Sequence, residues 1–236
     1  SSAHAYAVSL TLYLVCVAGL SLVRRPTRPA AQAGSRLEQI REGLRYIRDN
    51  KVVLGAISLD LFAVLLGGAT ALLPVFARDI LAVGPEGFGL MRSAPAAGAA
   101  VVALVLASRP IHRRAGLTMF TGVAIFGVAT IVFGLSRSFW LSMAALATLG
   151  GADMLSVYVR QTLVQIVTPD GMRGRVASVS FLFIGASNEL GEFESGVTAR
   201  LFGPVMAAVF GGVASLFVTG LWARLFPALR KVDRLA

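Results

Sequence analysis

Five ionisable side chains stand inside stretches that are otherwise apolar: Asp60, Arg92, Asp153, Arg160 and Glu189. A charge placed in hydrocarbon costs at least a few kcal/mol, so each needs a partner, a water-filled cavity or a task. The chemistry open to such a set is the handling of protons and charge. An opposite charge at equal depth lets Asp60 stay ionised and holds Arg160 in place. Asp153 and Glu189, two carboxylates sharing a dry site, cannot both ionise, so one of them holds a proton. A carboxyl that takes up and releases that proton, exposed alternately to each side, is the least that a proton-coupled carrier requires. Gln161 and Asn188 stand beside these charges and can bond to a polar cargo or to a neighbouring helix. Arg92, Glu192 and Glu194 lie toward the outer ends of their segments, where Arg92 can snorkel and the glutamates meet water. Cys16 is the only cysteine, His4 and His112 are isolated, and no nucleophile has an evident base. These types in this pattern predict neither a metal site, a cofactor nor an enzyme.

The elements that position these groups follow from length. Spanning a bilayer takes about 20 apolar residues at 1.5 Å each. That test selects Ala3 to Val23, Val52 to Ala77, Phe88 to Ala107, Leu117 to Leu135 and Phe139 to Val167. Val176 to about Leu201 and Pro204 to Trp222 follow, the former interrupted by Glu189, Glu192 and Glu194. The fold class predicted is therefore all-α and integral to the membrane, with seven transmembrane helices. A chain of 236 residues that is 56% hydrophobic and 14% charged carries more apolar surface than one soluble core could hide. Measured from the span ends, Asp60 and Arg160 lie at matching depths of about 12 and 10 Å, and Asp153 and Glu189 at about 21 and 20 Å. The expectation is a lower ion pair and an upper carboxylate pair.

Seventeen of the twenty-two Lys and Arg residues fall in alternate connections and the tail, among them Arg24, Arg25, Arg28, Arg113, Arg114, Arg173, Arg175, Lys231 and Arg234. The positive-inside rule places that end in the cytoplasm and residue 1 outside. The net charge of +10 is then a matter of topology, and nucleic acid is not an expected partner. The chain opens at Ser1-Ser2-Ala3 without methionine or a basic signal region, which predicts that an earlier segment precedes it. Within the linker, Ser35-Arg36-Leu37-Glu38 is a capping box, and Leu37, Ile40, Leu44 and Ile47 recur at helical spacing. That helix is expected to lie on the cytoplasmic membrane surface. Gly67-Gly68, Gly150-Gly151 and Gly211-Gly212, with Pro74 and Pro95, permit close approach and local bending of helices. Spans two to seven read charged, charged, uncharged twice over, as an internal repeat with two cavity-lining helices per set would.

Four stretches carry a family resemblance: Leu59–Phe62 running on to Ala71–Ala77, Gly151–Met154 through Val159–Thr162, Thr168–Val176, and Ser187–Gly196. The chain resembles the C-terminal part of a major facilitator superfamily transporter, in the branch that includes bacterial enterobactin exporters. The resemblance implies that residues 1–23 are the last helix of a missing N-terminal bundle and 24–51 a cytoplasmic linker. It makes 52–223 the C-terminal six-helix bundle and 224–236 a cytoplasmic tail. It implies a multi-pass protein of the bacterial inner membrane that exports a siderophore-like or drug-like small molecule by alternating access, with protons, cargo and the lipid bilayer as its partners. Arg173 and Arg175 then match the loop that helps lock the family's inner gate. The superfamily's acidic gating motif is absent from Ser108–Gly116, so a charge-relay gate is not carried over there. The residues leave two other classes open, a non-transporting membrane scaffold and a receptor fragment. A retinal pump needs a lysine buried in its last helix, and Lys51 and Lys231, the only two lysines, flank spans.

Overall fold

The computed structural model describes residues 2–22, 35–111 and 113–233, and divides the chain into two units, residues 1–35 and 36–236. Arg24, Arg25, Arg28, His112 and Arg234 lie outside the described residues. In the first unit α1 (Ser2–Ser21) is a single 20-residue helix. The second unit opens with α2 (Arg36–Asp49), directly after Ser35, where the capping box predicts a start. There follow α3 (Lys51–Leu66), a 3₁₀ turn (Ala69–Leu72), the short α4 (Leu73–Val75) and a wide π turn (Phe76–Ile80). Then come α5 (Pro85–Ser108), α6 (Ala115–Leu135), α7 (Phe139–Val167), α8 (Asp170–Phe202), α9 (Pro204–Leu225) and the short α10 (Pro227–Arg230). Among the described residues there is no strand.

Five of these segments are long and apolar enough to cross a membrane: Lys51–Ile80, Pro85–Ser108, Ala115–Leu135, Phe139–Val167 and Pro204–Leu225. Their most apolar windows have mean hydropathies of 1.3 to 2.2. At 33 residues α8 has the length but not the composition, because Arg173, Arg175, Glu189, Glu192, Glu194 and Arg200 all fall within it. The chain is a multi-pass membrane protein.

In the second unit α7 packs on α5 and α6, α6 on α9, and α3 on α8, α9 and α7. α6, which carries no charge, and α9, charged only at Arg224 in its last turn, lie against each other. One apolar cluster joins Phe76, Met91, Phe133 and Leu146, with the rings of Phe76 and Phe133 4.5 Å apart. A second joins Leu59, Met119, Val159, Leu163 and Leu229. The crossing of α5 over α7 is tighter than any side chain allows. A Cβ on Gly98 would stand 1.8 Å from the Ala147 carbonyl oxygen, and one on Gly150 2.0 Å from that of Pro95. The turn from α8 into α9 is a single residue, Gly203, at φ 87° and ψ 156°, with Pro204 opening the next helix. That conformation belongs essentially to glycine.

The basic end is knitted together. Tyr46 Oη donates to the Val167 carbonyl at 2.9 Å, Glu42 pairs with Arg175, and the Arg114 amide donates to Asp233 Oδ1 at 3.0 Å. Two expectations need correction here. The linker helix does not rest on lipid alone: Ile47 is buried with Val53, Ile57, Val176 and Val179, and Gly43 abuts the Arg175 backbone. Leu37, Ile40 and Leu44 remain exposed, so only part of the predicted apolar stripe is spent on protein. The second span is also not continuous from Val52 to Ala77, because it breaks after Leu66.

Candidate functional site

The break in α3 is where the candidate site begins. The Gly67 amide turns back to Val64 O at 3.2 Å rather than to Ala63 O, and Pro74 has no amide to offer Thr70. The carbonyl freed at Ala63 accepts instead from Ser215 Oγ of α9 at 3.0 Å. Irregular backbone at membrane depth persists only where protein satisfies it or where it lines a cavity. Both hold in this structure. Gly67, Gly68 and Thr70 line a cavity of about 350 Å³ together with Pro95 of α5, Asp153 of α7 and Asn188 of α8. Close contact sets the two glycines' size: a Cβ on Gly68 would lie 2.7 Å from Ser195 Oγ, and one on Gly67 2.7 Å from Ser215 Oγ.

Below the break, on the basic side, Asp60 of α3 meets Arg160 of α7, with Arg160 Nη2 3.1 Å from Asp60 Oδ2. Their side chains are only 7% and 5% exposed, so the pair is withdrawn from solvent on every side. The depth match read from the sequence therefore corresponds to a contact. Asp60 and Asp153 both line a small cavity of about 10 Å³, together with Ser156, one turn along α7 from Asp153. The structure thus sets two carboxylates against one guanidinium. It also replaces the expected partner of Asp153: its carboxylate neighbour is Asp60, not Glu189. Glu189 is exposed and lines neither cavity, whereas Asn188, one position earlier, lines the larger one. Adjacent residues on a helix point about 100° apart, so one step in the chain is enough to turn a side chain out of the site.

The remaining predicted residues fall into three places. Gln161 is half-buried and lines a third cavity, of about 50 Å³, with Arg160, Thr168, Arg173 and Ser180. Arg173 caps the loop between α7 and α8: it pairs with Asp170 at 2.6 Å, and its Nε donates to the carbonyls of Gln165 and Thr168 at 2.9 and 3.2 Å. Arg175 holds Glu42 of α2. Arg92 and Glu192 are exposed, and Glu194 is half-buried and accepts from Thr198 Oγ1 at 2.7 Å.

Sequence reading passed over Ser156, Thr168 and Ser180, all buried. A signal was available for two of them. Asp153, Ser156 and Arg160 recur at steps of three and four, one stripe down α7, and Thr168 follows as the residue that caps the helix.

The family model of transmembrane secretion effectors matches residues 1–236. Among curated relatives, the chain is 25% identical over 207 residues to YvqJ, an MFS-type transporter of Bacillus subtilis, covering 86% of the chain and 48% of the relative. It is 29% identical over 232 residues to the multidrug efflux pump Tap of Mycobacterium tuberculosis, covering 96% of the chain and 54% of the pump. It is 29% identical over 143 residues to the enterobactin exporter EntS of Citrobacter koseri, covering 61% of the chain and 34% of the exporter. The chain spans about half the length of the first two of these relatives.

Proposed function

The chain belongs to the transmembrane secretion effector family of the major facilitator superfamily, and from that membership we propose that it forms the C-terminal half of a proton-coupled exporter of small organic molecules. The observation that carries this reading is the interrupted α3 beside Asp153. Broken helices at membrane depth are where carriers of this kind gather polar groups around cargo and coupling ions. Here the break opens onto a carboxylate that the single guanidinium of Arg160, already engaged by Asp60, does not neutralise. A proton is the smallest cation that balances it, and releasing that proton on the far side of the membrane would couple transport to the gradient. Alternating access requires two arrangements of the halves with different exposure of Asp153. Arg173 and Arg175, with Asp170 and Glu42, are the contacts that would open and close at the inner end.

The basic end faces the cytoplasm in this reading, the N-terminus of α1 faces outward, and the membrane is the bacterial inner one. The cargo class is apolar with a few hydrogen-bonding groups, suited to Asn188 and Thr70 among the largely aliphatic lining. Of the relatives, one is named for multidrug efflux and one for enterobactin export.

The test is efflux driven by a pH gradient from vesicles holding the full-length carrier, run with a drug panel and with a catecholate siderophore. Asp153→Asn is expected to abolish gradient-driven efflux while cargo exchange at equal pH persists. Glu189→Gln, turned away from both cavities, is expected to keep most of it. Normal gradient-driven efflux by Asp153→Asn would remove that carboxylate from the coupling mechanism.

A further inference from the structure

The polar stripe on α7 leads somewhere. Asp153, Ser156 and Arg160 descend one face of the helix over about 10 Å from the level of the α3 break, and Thr168, which caps its end, carries the line on to the α7–α8 loop. Beside them lie the three cavities already described, in the same order. The largest and the smallest share Asp153, Val64 and Phe126. The smallest and the third meet across the ion pair, Asp60 lining the former and Arg160 the latter. The third ends beside Gln165 and Arg173, both exposed.

A second observation bears on the same path. Ser156 Oγ, Arg160 Nε, Thr168 Oγ1 and Ser180 Oγ are buried and have no hydrogen-bond partner in the protein. These four belong to residues that line the two lower cavities. Leaving a buried donor or acceptor unmet costs about 1–3 kcal/mol. A serine or threonine in an ordinary membrane helix avoids that cost by bonding to its own carbonyl four residues back, as Thr130 does. The hydroxyls of Ser156, Thr168 and Ser180 do not, and all three residues line the cavities. Water is the partner that fits: a site of roughly 10–15 Å³ holds one molecule that has two to four polar neighbours. By that measure the 50 Å³ cavity takes more than one, and the 10 Å³ cavity stands at the lower limit.

We propose that these chambers form a water-bearing path from the basic end of the bundle to Asp153, interrupted only by the Asp60–Arg160 pair. The inference rests on the reading of Asp153 as the proton carrier and adds its route. A proton released by the Asp153 carboxylate passes through the water at Ser156, is taken up and given off by the Asp60 carboxylate of the pair, and leaves along waters held by Arg160, Ser180 and Thr168 to emerge beside Arg173. No bond other than O–H is made or broken. The route lies among this chain's own helices α3, α6, α7 and α8.

Silver ion, about the size of water, reacts with thiols through narrow aqueous paths and tests the proposal directly. In a Cys16→Ser background, Ser156→Cys and Ser180→Cys are near-isosteric probes of the two lower chambers, with Thr168→Cys as the alternate where either fails to fold. Val159→Cys, fully buried on the same helix and lining none of the three cavities, is the control. Silver is applied from the basic side to vesicles holding the full-length carrier, and free thiols are counted after unfolding. Both chamber thiols are expected to react on the order of 100-fold faster than the control, which must wait for local opening. If either reacts as slowly as the control, the path is dry there and the proposal is overturned. That outcome is separable from failure of the coupling mechanism, which Asp153→Asn decides by efflux without reference to silver.

Discussion

At the scale of residues, the Asp60–Arg160 pair is a buried ion pair that ties α3 to α7. Removing one member of a buried pair leaves an uncompensated charge and costs about 3–5 kcal/mol, whereas replacing both by apolar groups of similar size is often neutral. Asp60→Asn alone is therefore expected to lower the thermal midpoint of the detergent-purified carrier sharply. Asp60→Leu combined with Arg160→Met is expected to recover most of that loss and still fail to couple. Thermal unfolding followed by light scattering or tryptophan emission checks the first part, and gradient-driven efflux the second. Equal midpoints for the single and double variants would show that the charges do not depend on each other. The pair was legible in the sequence because depth along a span is simple arithmetic. The partner of Asp153 was not, because depth says nothing of rotation about the helix axis. Glu189 and Asn188 share a depth, and only the packing of α8 decides which of them turns inward. The buried hydroxyls were harder still, since a serine in an apolar run looks the same whether it bonds to its own helix or to water.

At the scale of elements, two positions govern how the helices meet. The carbonyls of Ala147 and Pro95 occupy the space a methyl group would need at Gly98 and Gly150. Gly98→Ala and Gly150→Ala each force α5 away from α7, and overpacking of this kind typically costs about 1–3 kcal/mol. Since Pro95 also lines the Asp153 cavity, both variants are expected to weaken cargo binding along with stability. Gly203→Ala tests a different cause: it adds strain of about 1–3 kcal/mol at a backbone angle glycine alone adopts, with no atom in the way. It should lower the thermal midpoint and leave binding affinity unchanged in the protein that remains folded. A drop in affinity for Gly203→Ala equal to that of Gly150→Ala would contradict this division. Helix number and approximate bounds could be read from apolar length, which is a one-dimensional property. The interruption of α3 could not, because Gly67-Gly68 marks a weak point without saying whether neighbours hold the helix straight or take up its freed carbonyl, as Ser215 does.

At the scale of the whole molecule, the distribution of arginine is the basis of the proposed orientation, and the contacts of Tyr46, Arg114 and Arg175 gather the basic connections at one end. In a Cys16→Ser background, Ser138→Cys at the opposite end is expected to react with an impermeant maleimide in intact cells. Lys231→Cys should react only after permeabilisation, and the reverse pattern would invert the orientation and the direction of transport drawn from it. The ion pair has a further consequence, in the order of synthesis. Arg160 follows Asp60 by a hundred residues, so at about 5–20 residues per second α3 waits roughly 5–20 s in or beside the membrane before its partner helix is made. A carboxyl alone in hydrocarbon is far cheaper neutral than ionised, so during that interval α3 is best accommodated with Asp60 protonated, or held by the insertion machinery away from lipid. The arrival of α7 ends the wait, and the charge that later serves the finished protein is one of the last features the nascent chain acquires.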